Sequence, residues 1–440
     1  MSPCRNGLIG LSAYLAAIFA TPLYAQQYTE VKVTDKGFGD IEFDSARDGV
    51  YCATCNSGQG NARFNWTDRS GNLWLGHLDA QTGAFVPTNG KAELVDTDAA
   101  FWKDFGNGPE WAFSQQDSQL SYTRYVPGMS RTPSYAGAAM ATMVDGVWTS
   151  GFLPGAIDAS ITDGSANSAL PEPSQASTDP IALVIYKNLA QPLQMFWEQM
   201  SLTGVSPSPA PFGTESNGIS ERWVPQTHQL LFLGFAGTIY QQVFWYDTDT
   251  NVVEQLTTDP TQKDNAFMFR APEFADNYVF YTVSGLRQIN VYEQTGSNGD
   301  GSPRFALINK IKSGDPTQPI ISGSEPFINC TPTCRTYIFL TITSSYHSLH
   351  GGANGLAVTN IDPSQPLFEV LTAGDSASTR FDPEYFITAN GPYLYYGRSK
   401  PATASTPALF QGEYYIDMKL GAPSGPCVGS SAQGGMMPGC

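Results

Sequence analysis

Charge is scarce in this chain, and positive charge is scarcest. Charged residues make up 14% of the 440 residues, and 23 basic residues stand against 40 acidic ones, which gives a formal net charge of −17. A protein with this charge is repelled by phosphate backbones and by anionic lipid headgroups. We therefore expect no nucleic acid and no membrane as a partner. A glycan, a small polar ligand or a protein partner is favoured.

Several signatures of catalysis are lacking as well. The sequence has no G-x-S-x-G elbow for a nucleophilic serine and no glycine loop of the kind that binds phosphate. It contains four histidines: His77 in a predicted strand, His228 on a turn, and His347 and His350 in one loop. Without a helix to space them, they make a weak metal site. We expect no cofactor, with a divalent cation left open.

The N-terminus has the three-part layout of a secretory signal peptide. Arg5 supplies a positive charge, an apolar stretch follows from Leu8 to Ala20, and small and polar residues continue to Ala25. The apolar stretch is shorter than a membrane-spanning helix requires. No other apolar stretch in the sequence approaches the required length. We predict a signal peptide at 1–25 and a secreted protein, extracellular or periplasmic.

The remaining cysteines agree with export. They are six and form three pairs that are close in sequence: Cys52 with Cys55, Cys330 with Cys334, and Cys427 with Cys440. Even numbers of cysteines in an exported chain indicate disulfide bonds. A redox or zinc site is the alternative for the first pair. A redox motif needs a following helix, which is not expected here, whereas a zinc site shared with the second pair stays open.

Two tripeptides match the acceptor pattern for N-glycosylation. They begin at Asn65 and Asn329. If the source cell glycosylates its exported proteins, the sequence predicts a glycoprotein.

The body of the chain is rich in glycine and proline, and its apolar segments are short and end in turn residues. This pattern predicts an all-β protein of many short strands. Within it a motif recurs in which a glutamate precedes an aromatic residue, before a turn and an aliphatic-aromatic strand. In two looser copies, at Glu221 and Glu325, the glutamate stands one residue earlier and need not point the same way. The glutamates are Glu110, Glu221, Glu273, Glu325 and Glu384. Between Glu221, Glu273 and Glu325 each step is 52 residues, and the step to Glu384 is 59, which suits one four-stranded propeller blade.

The repeat predicts a single β-propeller. Unit starts near residues 50, 110, 175, 221, 273, 325 and 384 favour seven blades, and six remains possible because the start near 175 is poorly marked. The last unit holds only three strands, and the alternating segment 28–33 can supply the fourth, so that both chain ends close the ring. We place the propeller at 26–421 and a disulfide-closed tail at 422–440.

These motifs resemble the TolB-like repeats, which are WD40-like propeller repeats. The shared features are a small residue, a proline, an aromatic residue, a polar turn and an aliphatic-aromatic strand, as in Ala271-Pro272-Glu273-Phe274 followed by 275–281. The resemblance covers most of residues 105–400. It implies the propeller fold and a non-catalytic role in protein–protein interaction.

Charged residues recur at the predicted start of the inner strands. Because side chains alternate along a strand, the residue before each aromatic faces away from the core between blades and toward the central channel. We predict that one channel mouth collects three catalytic carboxylates (Glu110, Glu273, Glu384) and three substrate-binding residues (Arg222, Glu221, Glu325). The alternative is that these glutamates cap backbone amides or pair with arginines between blades.

Two functions follow from this arrangement. The first is a carbohydrate-active propeller, a glycosidase or a lyase, which binds a glycan at the acidic mouth, since neighbouring carboxylates raise each other's pKa. Loop aromatics such as Trp66, Trp102 and Trp148 would then stack on sugars, unless they belong to the core. The second is a non-catalytic TolB-like binding module. A fold alone does not choose between them.

Overall fold

The computed structural model describes residues 28–39, 41–44, 62–101, 108–112, 119–132, 135–153, 163–171, 181–187, 195–201, 210–212, 221–225, 227–235, 237, 239–346, 354–374, 378–401, 406 and 408–423. The four stretches between 163 and 212 are described as strands only. Cys52, Cys55, Cys427, Cys440, His347, His350, the predicted signal peptide and most of the predicted tail lie outside these residues.

The described strands form seven antiparallel sheets, which we number as blades in chain order. The first strand, β1 (Glu30–Thr34), belongs to blade 7. Blade 1 contains β2 (Glu42–Phe43), β3 (Arg63–Thr67), β4 (Leu73–Leu78), β5 (Phe85–Val86) and β6 (Glu93–Asp96). Blade 2 contains β7 (Glu110–Ala112), β8 (Gln119–Tyr125), β9 (Ala136–Val144) and β10 (Val147–Phe152). Blade 3 contains β11 (Asp163–Pro171), β12 (Ile181–Lys187), β13 (Met195–Ser201) and β14 (Ala210–Phe212).

Blade 4 contains β15 (Arg222–Trp223), β16 (Gln229–Phe235), β17 (Gln241–Asp247) and β18 (Val252–Gln255). Blade 5 contains β19 (Lys263–Ala271), a 3₁₀ turn at Pro272–Phe274, β20 (Asn277–Ser284), β21 (Gln288–Ser297) and β22 (Pro303–Lys312). Blade 6 contains β23 (Ile320–Cys330), β24 (Cys334–Thr343), β25 (Gly355–Asn360) and β26 (Phe368–Thr372). Blade 7 is completed by β27 (Thr379–Thr388), β28 (Gly391–Lys400) and β29 (Leu409–Asp417).

The first strands of the blades form a closed ring. β2, β7, β11, β15, β19, β23 and β27 each contact the next in this order, and β27 contacts β2. The prediction of a single all-β propeller is therefore confirmed. Among the described residues, no helix is long and apolar enough to cross a membrane.

Both chain ends complete blade 7, as the sequence predicted. β1 pairs antiparallel with β29, with Glu30 opposite Ile416. Glu30 also accepts hydrogen bonds from Arg380 Nε at 2.8 Å, Arg398 Nη1 at 3.1 Å and the Tyr396 hydroxyl at 2.7 Å. This cluster joins the N-terminal strand to β27 and β28 by side chains, in addition to the backbone ladder.

Aromatic and aliphatic side chains fill the spaces between neighbouring blades. Between blades 7 and 1, for example, the ring of Phe43 lies 4.8 Å from that of Tyr395 and 5.7 Å from that of Phe386. Similar buried clusters join blades 1 and 2, 4 and 5, 5 and 6, and 6 and 7. These blades thus bury their apolar faces against one another, which explains the aromatic residues of their strands.

A repeated irregularity positions the channel residues of blades 5, 6 and 7. In each inner strand the ladder shifts by one residue, at Asp264/Ala266, Ser322/Glu325 and Phe381/Glu384. The first residue of each bulge has a left-handed backbone: Asn265 (φ 41°), Gly323 (φ 50°) and Asp382 (φ 51°). Glycine, asparagine and aspartate tolerate this conformation best. All three strands therefore have a residue type at the bulge that suits its backbone.

One of the three predicted disulfide bonds lies within the described residues, and it is confirmed. Cys330 and Cys334 are bonded across the turn between β23 and β24.

The glycosylation prediction is not supported by the two acceptor side chains. Asn65 and Asn329 are 0% and 1% exposed. The Asn329 amide donates hydrogen bonds to Thr331 Oγ1 at 2.9 Å and to the Leu420 carbonyl at 3.2 Å. Because a glycan cannot be accommodated on a buried amide, neither residue fits a glycosylation site in the folded protein.

Candidate functional site: the channel mouth

Four inner strands contribute a charged side chain to one cluster in the central channel. Glu42, Glu110 and Arg222 are the first residues of β2, β7 and β15, and Glu384 follows the bulge of β27. Blade 6 adds Glu325. It lies two residues after the left-handed Gly323, as Glu384 lies two residues after the left-handed Asp382 in blade 7. The equivalent position of blade 5 is Phe267. The mouth therefore combines four glutamates, one arginine and one aromatic ring from six blades.

Arg222 is the cation of this cluster. Its Nη1 donates a hydrogen bond to the Glu221 carbonyl at 3.0 Å, and its guanidinium carbon lies 5.5 Å from the ring centroid of Phe267. Burial lowers the pKa of Arg222, but the charges of Glu110, Glu325, Glu42 and Glu221 outweigh it, and the pKa is raised. The guanidinium stays charged and lowers the energy of ionised carboxylates around it.

Glu384 is the carboxyl of this cluster with a raised pKa. The shift is well above the usual value, first because of burial and then because of the charges of Glu325, Glu42, Asp382 and Glu110. Burial and neighbouring like charges both disfavour the ionised form of a carboxyl group. The channel thus holds a carboxyl group whose protonated form is favoured, next to several other carboxyl groups.

The structure brings most of the predicted site residues together in this cluster, with Glu325 and Glu384 about half-way along β23 and β27. Glu110, Arg222, Glu325 and Glu384 share electrostatic contacts there, and Glu221 flanks Arg222 with a buried side chain. Glu273 was placed wrongly, because it is not in register with Glu384.

Glu273 lies in the 3₁₀ turn that follows β19, at the opposite end of that strand. Its Oε1 accepts a hydrogen bond from the Thr336 backbone amide at 3.0 Å, and its Oε2 accepts one from the Thr336 hydroxyl at 3.0 Å. Thr336 belongs to β24 of the next blade. Glu273 therefore joins blades 5 and 6. It caps a backbone amide, which was the alternative to a catalytic role for these glutamates.

Sequence reasoning missed Glu42 and Phe267. Glu42 is followed by Phe43, so it carries the same glutamate–aromatic pair as Glu110-Trp111, and this signal could have found it. The first blade was expected to start near residue 50, eight positions too late. Phe267 has no such signal, since its position depends on the bulge at Asn265.

The other candidate groups lie elsewhere. His77 is in β4, where burial and the charge of Arg63 lower its pKa, and His228 contacts Asp249 at 2.8 Å. Trp66 is 3% exposed and belongs to the core between blades 7 and 1, so it does not stack on a ligand. Among the described residues, no three His, Cys, Asp or Glu side chains are grouped as metal ligands.

No protein-family model and no curated protein matches this sequence. Solved structures do match. The BP39L lectin from Burkholderia pseudomallei superimposes with a TM-score of 0.47 at 10% identity, over 89% of this chain and 99% of the lectin. TolB from Acinetobacter baumannii gives a TM-score of 0.36 at 13% identity, over 81% of this chain and 79% of TolB.

A prolyl endopeptidase gives a TM-score of 0.40 at 8% identity, over 83% of this chain but only 48% of the peptidase. The chain thus spans about half the length of that enzyme. The neighbours therefore include hydrolases and TolB. At sequence identities of 8–13%, these similarities describe the fold and assign no activity.

Proposed function

We propose that this chain is a secreted, TolB-like propeller that binds a glycan at the acidic mouth of its channel and hydrolyses a glycosidic bond there. The observation that carries the proposal is the raised pKa of Glu384 among the carboxyl groups of Glu325, Glu42 and Glu110. Glycosidases need a protonated carboxylic acid close to an ionised carboxylate. Export is supported by the layout of residues 1–25 and by the Cys330–Cys334 bond.

The proposed reaction uses two carboxyl groups in different states. Glu384 donates its proton to the oxygen of the glycosidic bond as the bond from that oxygen to the anomeric carbon breaks. Glu325, on the neighbouring blade, acts as the ionised partner and takes the proton of the attacking water. Arg222 is a positioning residue, because its charge stabilises the ionised state of the carboxylates around it.

A second candidate, the non-catalytic binding module, is favoured by one observation. The charges of Glu110, Glu325, Glu42 and Glu221 raise the pKa of Arg222, and its Nη1 donates to the Glu221 carbonyl. An arginine held among carboxylates in this way also suits a non-catalytic role.

A glycan screen decides between the two. The mature protein is incubated with soluble cello-, malto-, xylo- and chito-oligosaccharides, with and without EDTA, and product release is measured for wild type, Glu384→Gln and Glu325→Gln. Glu273→Gln is the matched control, since Glu273 is a half-buried glutamate away from the cluster. We expect turnover in wild type and the control and none in the two mouth variants, with folding retained. Binding without product release in wild type would support the module instead.

A further inference from the structure

The bulges of blades 6 and 7 are built alike, but they begin with different residues. In both inner strands three steps match two steps of the second strand, and the left-handed position is Gly323 (φ 50°) in β23 and Asp382 (φ 51°) in β27. Glu325 and Glu384 each follow that position by two residues. Of the three bulges described above, the one in blade 7 alone begins with a charged residue. The two glutamates therefore share a backbone geometry and differ in the residue that begins their bulge.

Asp382 is held in place by its two neighbours in the chain. The ring of Phe381 packs at 6.0 Å from that of Phe410, on β29 of the same blade. Pro383 follows, and its ring fixes its own φ. Asp382 itself is half-buried, and aspartate is one of the few residues that tolerate a left-handed backbone. The backbone of a strand, and not a flexible loop, therefore sets the separation of the Asp382 and Glu384 carboxyl groups.

The two glutamates are surrounded by charges of both signs. The carboxylates that act on Glu384 come from four inner strands: Glu325 of β23, Glu42 of β2, Asp382 of β27 and Glu110 of β7. After burial, these charges are the causes of its raised pKa. Glu325 also interacts electrostatically with the guanidinium of Arg222. Because a nearby cation favours the ionised form of a carboxyl group and a nearby carboxylate disfavours it, Arg222 and Asp382 have opposite effects within the cluster.

We propose that Asp382 is a positioning residue for the proton donor, and that its carboxylate makes Glu384 the acid and leaves Glu325 as the ionised partner. This inference rests on the proposed function and deepens it. The two glutamates occupy equivalent places on neighbouring blades, so the backbone alone does not explain why they take different roles. A carboxylate two residues before one glutamate, and a glycine two residues before the other, accounts for the difference.

The first test is a double-mutant cycle that needs no substrate. Wild type, Asp382→Asn, Glu384→Gln and the double variant are unfolded in urea between about pH 4 and pH 8. Asparagine keeps the left-handed backbone, as Asn265 (φ 41°) does in blade 5. Because the pKa of Glu384 is raised on folding, its contribution to stability is full at low pH and is lost as pH rises. We expect Asp382→Asn to make this loss smaller and to confine it to lower pH, and to have no such effect in the Glu384→Gln background.

The matched control for this cycle is Asp276→Asn. Asp276 is also left-handed (φ 59°), but it is exposed and lies in the turn after β19, at the other end of that strand from the bulge. The same substitution on the same kind of backbone should leave the pH-dependent contribution of Glu384 unchanged. An effect as large as that of Asp382→Asn would overturn the positioning role, because the change would not be local.

The second test moves the charge from one blade to the other by combining Gly323→Asp with Asp382→Gly. A Cβ atom at Gly323 would have Thr341 Oγ1 as its nearest neighbour, at an ordinary contact distance of 3.7 Å. The backbone there is nearly that of Asp382, so an aspartate fits. In this exchanged protein we expect Glu325→Gln to remove more of the pH dependence of stability than it does in wild type, and Glu384→Gln to remove less. Unchanged shares would overturn the inference.

Turnover separates the inference from the proposed function. When wild type hydrolyses a sugar of the glycan screen, the alkaline limb of its kcat/KM profile reports the ionisation of the acid, and Asp382→Asn should move that limb to lower pH. An unmoved limb, or an equal effect of Asp382→Asn with and without Glu384→Gln, overturns the positioning role and leaves the proposed function intact. Absence of turnover in wild type overturns the proposed function and the donor role of Glu384 with it.

Discussion

The guanidinium of Arg222, on blade 4, lies over the ring of Phe267, on blade 5, at 5.5 Å. Phe267 takes the position at which blades 6 and 7 have Glu325 and Glu384. The ring of carboxylates is thus interrupted next to its only described cation. The aromatic face of Phe267 attracts the guanidinium by a cation–π interaction and adds no further negative charge to the cluster.

This contact can be measured with a double-mutant cycle of Arg222→Met and Phe267→Leu. We expect both single variants to be destabilised in urea, and the coupling energy to be about 1–2 kcal/mol because the pair is desolvated. The control cycle is Arg270→Met with Tyr278→Leu, in which the same kind of pair, 4.3 Å apart, involves an exposed arginine. The control coupling should be smaller. Equal couplings would mean that burial of the Arg222 pair adds nothing.

Glu384→Gln should stabilise the protein at neutral pH. The pKa of Glu384 is raised in the folded state by burial and by neighbouring carboxylates, so its stabilising contribution is complete below its unfolded pKa and declines as pH rises above it. An amide mimics the protonated acid and removes this decline. Urea midpoints of wild type and variant should agree near pH 4, and the variant should be the more stable at pH 7. The reverse order at pH 7 would show that the ionised form is the stable one.

Glu273→Gln should have the opposite effect on stability. The carboxylate accepts hydrogen bonds from both the amide and the hydroxyl of Thr336. An amide side chain keeps one acceptor oxygen and turns an NH₂ toward a donor, which should cost about 1–2 kcal/mol. Thermal denaturation of Glu273→Gln alone and combined with Thr336→Val measures this. If the second change adds its full effect to the first, the two side chains do not interact.

The sequence predicted the ring, its closure by both ends and four of the channel residues, because these depend on local alternation and on repeats. Glu110-Trp111 and Glu384-Tyr385 carry a strand period that can be read directly. Glu273 looked equivalent, since Ala271-Pro272-Glu273-Phe274 has the same residue pattern. The position two residues after the bulge is Phe267 in β19 and Glu384 in β27, whereas Glu273 lies eight residues after its bulge, in the turn that follows β19.

The exposure of Tyr240 and Tyr346 could not be predicted in this way. Both lie in turns between the second and third strands of their blades, and the sequence alone does not show whether such a turn packs against a neighbour. Trp66, by contrast, looked available for a ligand and is buried by blade 7. Tertiary packing decides which aromatic residues are exposed, and composition does not.

Glu413 should make stability depend on pH between 4.5 and 7. Burial raises its pKa from 4.5 to about 7, although the amides of Phe38 and Gly39 donate to it and lower the value. Its contribution is full below 4.5 and is lost as pH rises through about 7, a change of about 3 kcal/mol. Glu413→Gln should flatten the dependence of the urea midpoint on pH over this range. Glu254→Gln, on an outer strand, should leave it unchanged.

Glu30→Gln should weaken ring closure. Burial raises the pKa of Glu30, but hydrogen bonds from Arg380 and Tyr396 and the charges of Arg380 and Arg398 lower it more. Its contribution is present above the unfolded pKa and is lost as pH falls through the lower folded value. We expect a loss of about 2–3 kcal/mol at pH 7 and a smaller one at pH 3. Lys32→Gln, exposed on the same strand, is the control for a merely local change.

The pairing of β1 with β29 has a consequence for how the protein is made. The partner of β1 is β29, so blade 7 has all four strands only after β29 has been synthesised. Until then β28 lacks its outer neighbour, and β1 has no strand to pair with. The last blade can therefore be completed only after the inner strands of all seven blades have been made.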